Sequence, residues 1–133
     1  MSGYVVITGS RSITHSDHIR PLMGSLVKRR MNIVVGDAQG VDRLIVAEAV
    51  RCGYGKHVTI IGAYRRCRNR YAFGRVGRIV MLPSTYLARN LYMIGLADEC
   101  IAIWDGRSRD TKFTFDCARK AGLPVRVIEE RGW

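Results

Sequence analysis

The chain has 133 residues and is 47% hydrophobic, which is enough for one domain with a buried core and too apolar for a disordered protein. Its 22 Lys and Arg residues against 11 Asp and Glu give a net charge of +11, which indicates either a polyanionic partner or a solvated Arg-rich surface. No apolar run approaches the ~20 residues that a membrane-spanning helix needs and no signal-peptide pattern opens the chain, so we expect a cytoplasmic protein without a membrane partner.

In chain order, the first half of the sequence alternates apolar runs with helix patterns. Residues 4–8 form a continuous apolar run, typical of a strand buried on both faces. Residues 17–30 repeat apolar side chains at helical spacing, and Ser16 is suited to cap that helix. A strand over 33–35 and a helix over 41–51 are predicted to follow.

The second half continues the alternation after one interruption. Residues 57–61 predict a strand, and over about 63–82 the pattern gives way to arginines, glycines and aromatic residues, which we interpret as an Arg-rich insertion. Residues 79–82 within it are either a short strand or an anchor. The pattern then predicts a helix over about 85–97, a strand over 100–104, a helix ending at 121 and a strand over 125–128.

This order predicts an α/β fold. Residues 1–133 should form a single Rossmann-like domain, with a mostly parallel five-stranded sheet and helices on both faces. In such a sheet, ligands bind at the carboxyl ends of the strands, near the point where the strand order reverses. The polar motifs of this chain follow strands or lie in the next helix, so we expect them to meet at that edge.

The predicted binding residues share glycine turns, helix starts and fixed positive charge. Backbone N–H groups at such turns can hold a phosphate, and Arg11 and Arg89 can pair with it. The predicted set is Gly9, Ser10, Arg11, Gly36, Asp37, Ala38, Gly40, Val41, Asp42, Arg89, Asn90, Asp105, Gly106, Ser108 and Thr111. No metal-ligand, Ser-His-Asp or Cys-His spacing stands out, so we expect no metal and no required cofactor.

In combination, these motifs resemble the SLOG superfamily, Rossmann-like proteins related to LOG, DprA and YpsA, and are most similar to its small YspA/YpsA-related branch. The resemblance rests on residues 9–11, 36–42, 89–90 and 104–111, with 118–124 after them, and covers nearly the whole chain except about 63–82. It implies a nucleotide or nucleotide-derived ligand at the strand ends, such as AMP, ADP-ribose or an NAD-derived molecule.

The chain departs from that family's pattern in its last turn. The resemblance implies that Ser108 and Thr111 lie where the family uses a Ser-x-Gly-Thr turn to hold phosphate, but Asp110 replaces the glycine. A carboxylate there would repel a phosphate. Either Asp110 points away, or the ligand carries a ribose or a base at this position.

Three function classes follow. The first is a binding module for a small nucleotide-derived molecule, acting as a sensor, carrier or sequestering protein. The second is a LOG-like hydrolase or transferase of nucleotide N-glycosidic bonds, but the P-G-G-x-G-T-x-x-E motif of LOG-type relatives is missing. The acids that remain as catalytic candidates are Asp42, Glu48 and Asp116. We favour binding over catalysis.

The third class is single-stranded nucleic-acid binding, as in DprA-like relatives. No Asp or Glu occurs between Glu48 and Asp98, and aromatic residues alternate with arginines in this span. The candidate contacts are Arg65, Arg66, Arg68 and Arg70. Alternatively, residues 71–82 make a subunit contact, and we expect a homo-oligomer.

Overall fold

Six parallel strands form one sheet in the computed structural model, which describes residues 3–130. The strands are β1 (Tyr4–Gly9), β2 (Asn32–Gly36), β3 (Val58–Gly62), β4 (Arg78–Met81), β5 (Glu99–Trp104) and β6 (Val125–Glu129). Their order across the sheet is β4-β3-β2-β1-β5-β6. The predicted single Rossmann-like domain is therefore confirmed as a parallel α/β fold, while residues 1–2 and 131–133 of its predicted range lie outside the described residues.

The predicted count of five strands is wrong, because β4 is a sixth. It pairs with β3 in the register Thr59 to Arg78 through Gly62 to Met81. β4 is an edge strand of four residues, and both of its end residues are exposed. Its apolar run, Ile79 to Met81, has only three residues within the strand, so the sequence pattern there is too short to separate a strand from an anchor.

Four helices cover the two faces of the sheet. They are α1 (Ile19–Lys28), α2 (Val41–Arg51), α3 (Tyr86–Leu96) and α4 (Arg109–Lys120). Alternate residues of β1 point to opposite sides: Val5 and Ile7 pack in the core under α1 and α2, and Val6 packs in the core under α3 and α4. Within residues 3–130, none of these helices has the length and apolarity that crossing a bilayer requires.

Local hydrogen bonds account for where two helices begin. α3 starts after Thr85, whose Oγ1 accepts a hydrogen bond from Ala88 N at 3.2 Å. α1 starts later than predicted, after His18, because Ser16 Oγ accepts from His18 N at 3.1 Å ahead of the helix and also bonds to Glu130.

The segment predicted as an insertion is integrated into the fold. Tyr71, Val76 and Ile79 pack partly buried against one core, and Val80 and Leu82 against the other. Several apolar side chains that the alternative of a subunit contact assigned to a neighbour thus pack on the protein's own core. The homo-oligomer stays a prediction.

The strand order reverses at β1. Its neighbours are β2 on one side and β5 on the other. The chain leaves β1 toward α1 on one face and leaves β5 toward α4 on the other face. The two loops separate at the carboxyl edge and leave a crevice between them, which is where open α/β sheets bind ligands.

Candidate functional site

A pocket of about 480 Å³ lies at the carboxyl edge of β1 and β5. Its volume falls within the range typical of small-molecule sites. Its lining combines cationic, hydroxyl and carboxylate side chains: Thr8, Gly9, Arg11, Ser12, Ala38, Asp42, Arg68, Tyr86, Arg89, Asn90, Met93, Asp105, Ser108, Arg109, Asp110 and Thr111. Nine of the predicted binding residues are among them, so the separate sequence motifs do meet at this edge.

A buried ionic network supports one wall of the pocket. The Asp37 carboxylate accepts hydrogen bonds from Arg68 N at 2.7 Å, from Arg68 Nη2 at 2.8 Å and from Arg89 Nη1 at 3.0 Å. Arg89 also donates to Ile61 O at 2.7 Å and to Asn90 Oδ1 at 2.8 Å. Burial works to raise the pKa of Asp37, but the hydrogen bonds from Arg68 and Arg89 hold it below its ordinary value. The guanidinium of Arg89 is thereby fixed in place.

Tyr86 orders the two arginines. The Arg68 guanidinium carbon lies 4.2 Å from the centre of the Tyr86 ring and that of Arg89 lies 5.5 Å away. The edge of Tyr64 meets the same ring, with the ring centres 5.0 Å apart. Arg68 comes from the segment predicted to contact nucleic acid, yet it lies in the pocket wall, whereas Arg65, Arg66 and Arg70 are exposed and do not line the pocket.

Asp42 is a second buried carboxyl group beside Arg89. Its Oδ2 accepts a hydrogen bond from Ala38 N at 3.1 Å. Burial raises the pKa of Asp42 to about 6, against the opposing effects of Arg89 and the Ala38 N–H. Gly36 makes room for this pair, because a Cβ there would lie 2.7 Å from Asp42 Oδ2 and 3.0 Å from Arg89 Cζ.

The Gly-Asp-x-x-Gly turn packs beneath the loop that follows β1. Gly40 has φ +77°, and a Cβ on it would lie 2.5 Å from Ser10 O and 2.6 Å from Arg11 Cα. The first helical N–H, from Val41, donates to Ser10 O at 3.4 Å. Gly9 in turn lies against the Val41 side chain, since its Cβ would come within 2.4 Å of Val41 Cβ. Gly9 and Gly40 therefore allow the loop after β1 and the turn after β2 to pack closely. Gly36, Gly40 and Val41 do not line the pocket.

The loop after β5 is closed by Asp105. Its carboxylate accepts from Ser12 Oγ at 2.7 Å, Arg107 N at 2.8 Å and Ser108 N at 2.7 Å, and its own N–H donates to Ser10 Oγ at 3.1 Å. Burial opposes ionisation, but these hydrogen bonds prevail and lower the pKa of Asp105 to about 2. Asp105 is thus an ionised link between the loops after β1 and β5.

The amino end of α4 forms the opposite wall. Ser108 caps the helix, with Oγ accepting from Thr111 N at 3.4 Å. The first-turn N–H groups of a helix have no partner within the helix and attract anions. Arg109 and Asp110 also line the pocket there, and both are exposed. Sequence reasoning did not single out Thr8, Ser12, Met93 or Arg109, although Ser12 and Arg109 lie beside motifs that it named.

The other predicted residues lie outside the pocket lining. Ser10 and Asp37 are buried behind it, and Gly106, with φ +82°, turns the loop after β5. Of the three catalytic candidates, only Asp42 lines the pocket. Glu48 pairs with Arg51, and Asp116 lies 2.7 Å from Lys112 Nζ on the surface of α4. Within residues 3–130, no cluster of three or more His, Cys, Asp or Glu side chains is arranged to hold a metal.

Two solved structures are similar to this chain. DNA processing protein A from Helicobacter pylori, described for its single-stranded DNA binding mode, is 22% identical with a TM-score of 0.73, over 97% of this chain and 66% of that protein. TM1055 is 20% identical with a TM-score of 0.68, over 92% of this chain and 72% of that protein. The chain thus spans just under two thirds of the length of the first.

These similarities concern the fold. Both structures share the α/β fold of this chain, so the Rossmann-like fold expected from the resemblance is confirmed. No model of a known protein family and no curated protein matches the sequence.

Proposed function

We propose that the protein binds a nucleotide or nucleotide-derived small molecule in the pocket between the loops after β1 and β5. The observation that carries this proposal is the position and charge of the pocket: about 480 Å³, at the reversal of strand order, between four arginine side chains and the amino end of a helix. The positive charge comes from Arg11, Arg68, Arg89 and Arg109, of which Arg68 and Arg89 are also paired with Asp37.

The ligand phosphate would lie against Arg109 and the first turn of α4. Arg109 is exposed and has no carboxylate partner among residues 3–130, so its guanidinium is available for a bidentate contact. Asp110 lines the same wall, and a carboxylate there is better suited to accept ribose hydroxyl groups than to approach a phosphate. This assignment accommodates the residue that departs from the SLOG pattern.

The proposal is for binding, without a reaction. Glu48 and Asp116 lie away from the pocket lining and are engaged in ion pairs. Asp42 lies in the lining, but its Oδ2 is held by Ala38 N and its carboxyl group faces the fixed Arg89.

Isothermal titration calorimetry with AMP, ADP-ribose and NAD tests the proposal. Arg109→Ala should weaken binding of the best ligand about tenfold, the effect of losing one charge-assisted hydrogen bond. Arg107→Ala is the matched control, because it removes an exposed arginine from the same loop that does not line the pocket. Equal affinity of both variants and the unmodified protein, or no binding of any ligand, would contradict the proposal.

A second candidate function is single-stranded nucleic-acid binding. The observation in its favour is that the segment around Arg68, which lines the pocket, carries exposed Arg65, Arg66 and Arg70 together with Tyr64 and Phe73, which are 52% and 54% exposed. The similarity to a protein described for binding single-stranded DNA adds to it. Oligo-dT affinity that falls steeply with salt, together with no response to mononucleotides, would favour this function over the first.

A further inference from the structure

A second cavity adjoins the pocket. It has a volume of about 290 Å³ and shares Arg11, Ala38 and Arg68 with the pocket, so these three residues stand between the two spaces. Its remaining wall consists of Asp37, Gln39, Arg43 and Asn69. Arg11, Asp37 and Ala38 belong to the predicted binding motifs, but Arg43 and Asn69 do not, and the proposed nucleotide pocket does not account for this space.

The charge around the second cavity is positive. Arg11 and Arg43 have no carboxylate partner in the part of the chain that the structure describes, and both are exposed. Arg43 has its guanidinium carbon 5.8 Å from the centre of the Tyr71 ring. Asp37 is the one carboxylate in the wall, but its side chain is 0% exposed and is engaged by Arg68 and Arg89. The accessible groups therefore favour an anion.

Asn69 is a second and independent indication of a ligand. The residue is 3% exposed and borders the cavity, and neither Nδ2 nor Oδ1 of its side chain has a hydrogen-bond partner within residues 3–130. A buried amide with both groups unpaired is unfavourable and uncommon in folded proteins. Both amide atoms are shielded from solvent, so a polar group bound in the cavity would pair with the amide once the Asn69 side chain turned toward it.

We propose that the second cavity is an anion subsite, which takes a second phosphate group of the ligand held in the pocket. The inference rests on the proposed function, because the pocket must hold the first part of the ligand. Arg11 and Arg68 would then contact the ligand from both spaces, while Arg43 and Asn69 are specific to the second phosphate. The shared chemistry is a molecule with two phosphate groups, either a pyrophosphate or a phosphodiester.

Calorimetry with three probes separates these possibilities: AMP, ADP-ribose and the 5′-phosphorylated dinucleotide pApA. At least one of the two-phosphate probes should bind about tenfold more tightly than AMP, and which one does so distinguishes a pyrophosphate from a phosphodiester. Arg43→Ala should abolish that gain and leave AMP affinity unchanged.

Arg75→Ala is the matched control for Arg43→Ala. Arg75 lies over the same Tyr71 ring, 4.7 Å from its centre, but does not line the cavity. The control should therefore keep the full gain. Asn69→Ala is a further variant that should reduce the gain without the loss of a hydrogen bond made within residues 3–130.

The subsite is overturned if neither two-phosphate probe shows binding that depends on Arg43, irrespective of the affinity measured for AMP. Equal effects of Arg43→Ala and Arg75→Ala would also overturn it, because they would indicate a general effect of charge. Failure of the proposed function is distinct: AMP affinity would then not respond to Arg109→Ala, while an Arg43-dependent gain would still support the second cavity as an anion site.

Discussion

Replacing Asp42 by asparagine tests the electrostatics of the pocket most directly. Asp42 is 6% exposed, and its pKa of about 6 lies above the ordinary 3.8. Between about pH 4 and 6 the folded protein therefore binds a proton that the unfolded chain does not bind. Stability from this group is fully present below pH 4 and is lost as the pH rises through 6. Asp42→Asn removes the ionisation and keeps the shape and the acceptor for Ala38 N.

The magnitude follows from the difference between the two pKa values. About 2 pH units at 1.36 kcal/mol each correspond to about 3 kcal/mol of stability that the ionised carboxylate costs at neutral pH. The attraction of Arg89 is already included, since the raised pKa is the balance of burial against that attraction. Asp42→Asn should therefore gain about 2–3 kcal/mol relative to the unmodified protein between pH 4 and pH 7.

The assay is urea denaturation of both proteins at half-unit steps from pH 4 to pH 7.5. The measured quantity is the difference in the free energy of unfolding between variant and unmodified protein, because titration of other groups cancels in that difference. Asp116→Asn is the control. Asp116 is paired with Lys112 and has a lowered pKa, so its stabilising effect is lost only toward acid pH and the difference should stay flat between pH 4 and 6. A flat difference for Asp42→Asn would refute the reasoning and mean that Arg89 keeps Asp42 ionised.

Three further predictions concern stability, each measured by urea denaturation. Arg89→Met should lower the free energy of unfolding by about 3–5 kcal/mol, because it removes the buried cation beside Asp42 and leaves Arg68 as the remaining partner of Asp37; a loss below 1 kcal/mol would mean that Arg68 alone compensates both carboxylates. Gly40→Ala should cost about 3 kcal/mol and Gly53→Ala only about 1, since both have φ near +80° but only Gly40 meets backbone atoms at 2.5 Å; equal costs would mean that φ alone decides. Gly95→Ala in α3, where a Cβ meets nothing within 4 Å, should stabilise by about 0.5–1 kcal/mol, and a loss would reveal a contact not seen here.

The fold was predictable where the local signal is strong. The continuous apolar runs of β1 and β5 and the helical period of α2 place those elements correctly, and the bounds of α2 match the predicted 41–51. β4 was ambiguous because it is a strand by virtue of its pairing with β3. A pairing of four residues produces no clear hydrophobic pattern in the sequence. Strand order also explains why the motifs meet: parallel strands bring their carboxyl ends to one edge regardless of their separation in sequence.

The roles of the site residues were less predictable, because they depend on contacts far apart in the chain. Ser12 and Asp105, which bond to each other, are 93 residues apart, and Arg89 and its partner Asp37 are 52 apart. The sequence pattern indicated that the glycine turns bind phosphate. Gly40 is instead needed because a Cβ on it would lie 2.5–2.6 Å from backbone atoms of Ser10 and Arg11. The residues of the turn alone do not show whether the atoms that approach the glycine closely belong to a ligand or to another loop of the protein.

The segment over 63–82, which the family resemblance does not cover, contributes most to what is particular about this site. It supplies β4 at the sheet edge, Arg68 on Asp37 and against Tyr86, and Asn69 in the wall of the second cavity. Arg68 is also one of the three residues that stand between the pocket and the second cavity. If the ligand extends from one space into the other, its second phosphate is recognised by this segment together with Arg43. The choice of ligand then depends on a segment that the resemblance does not cover, while residues 9–11, 36–42 and 104–111 hold the two loops in the geometry that makes a pocket.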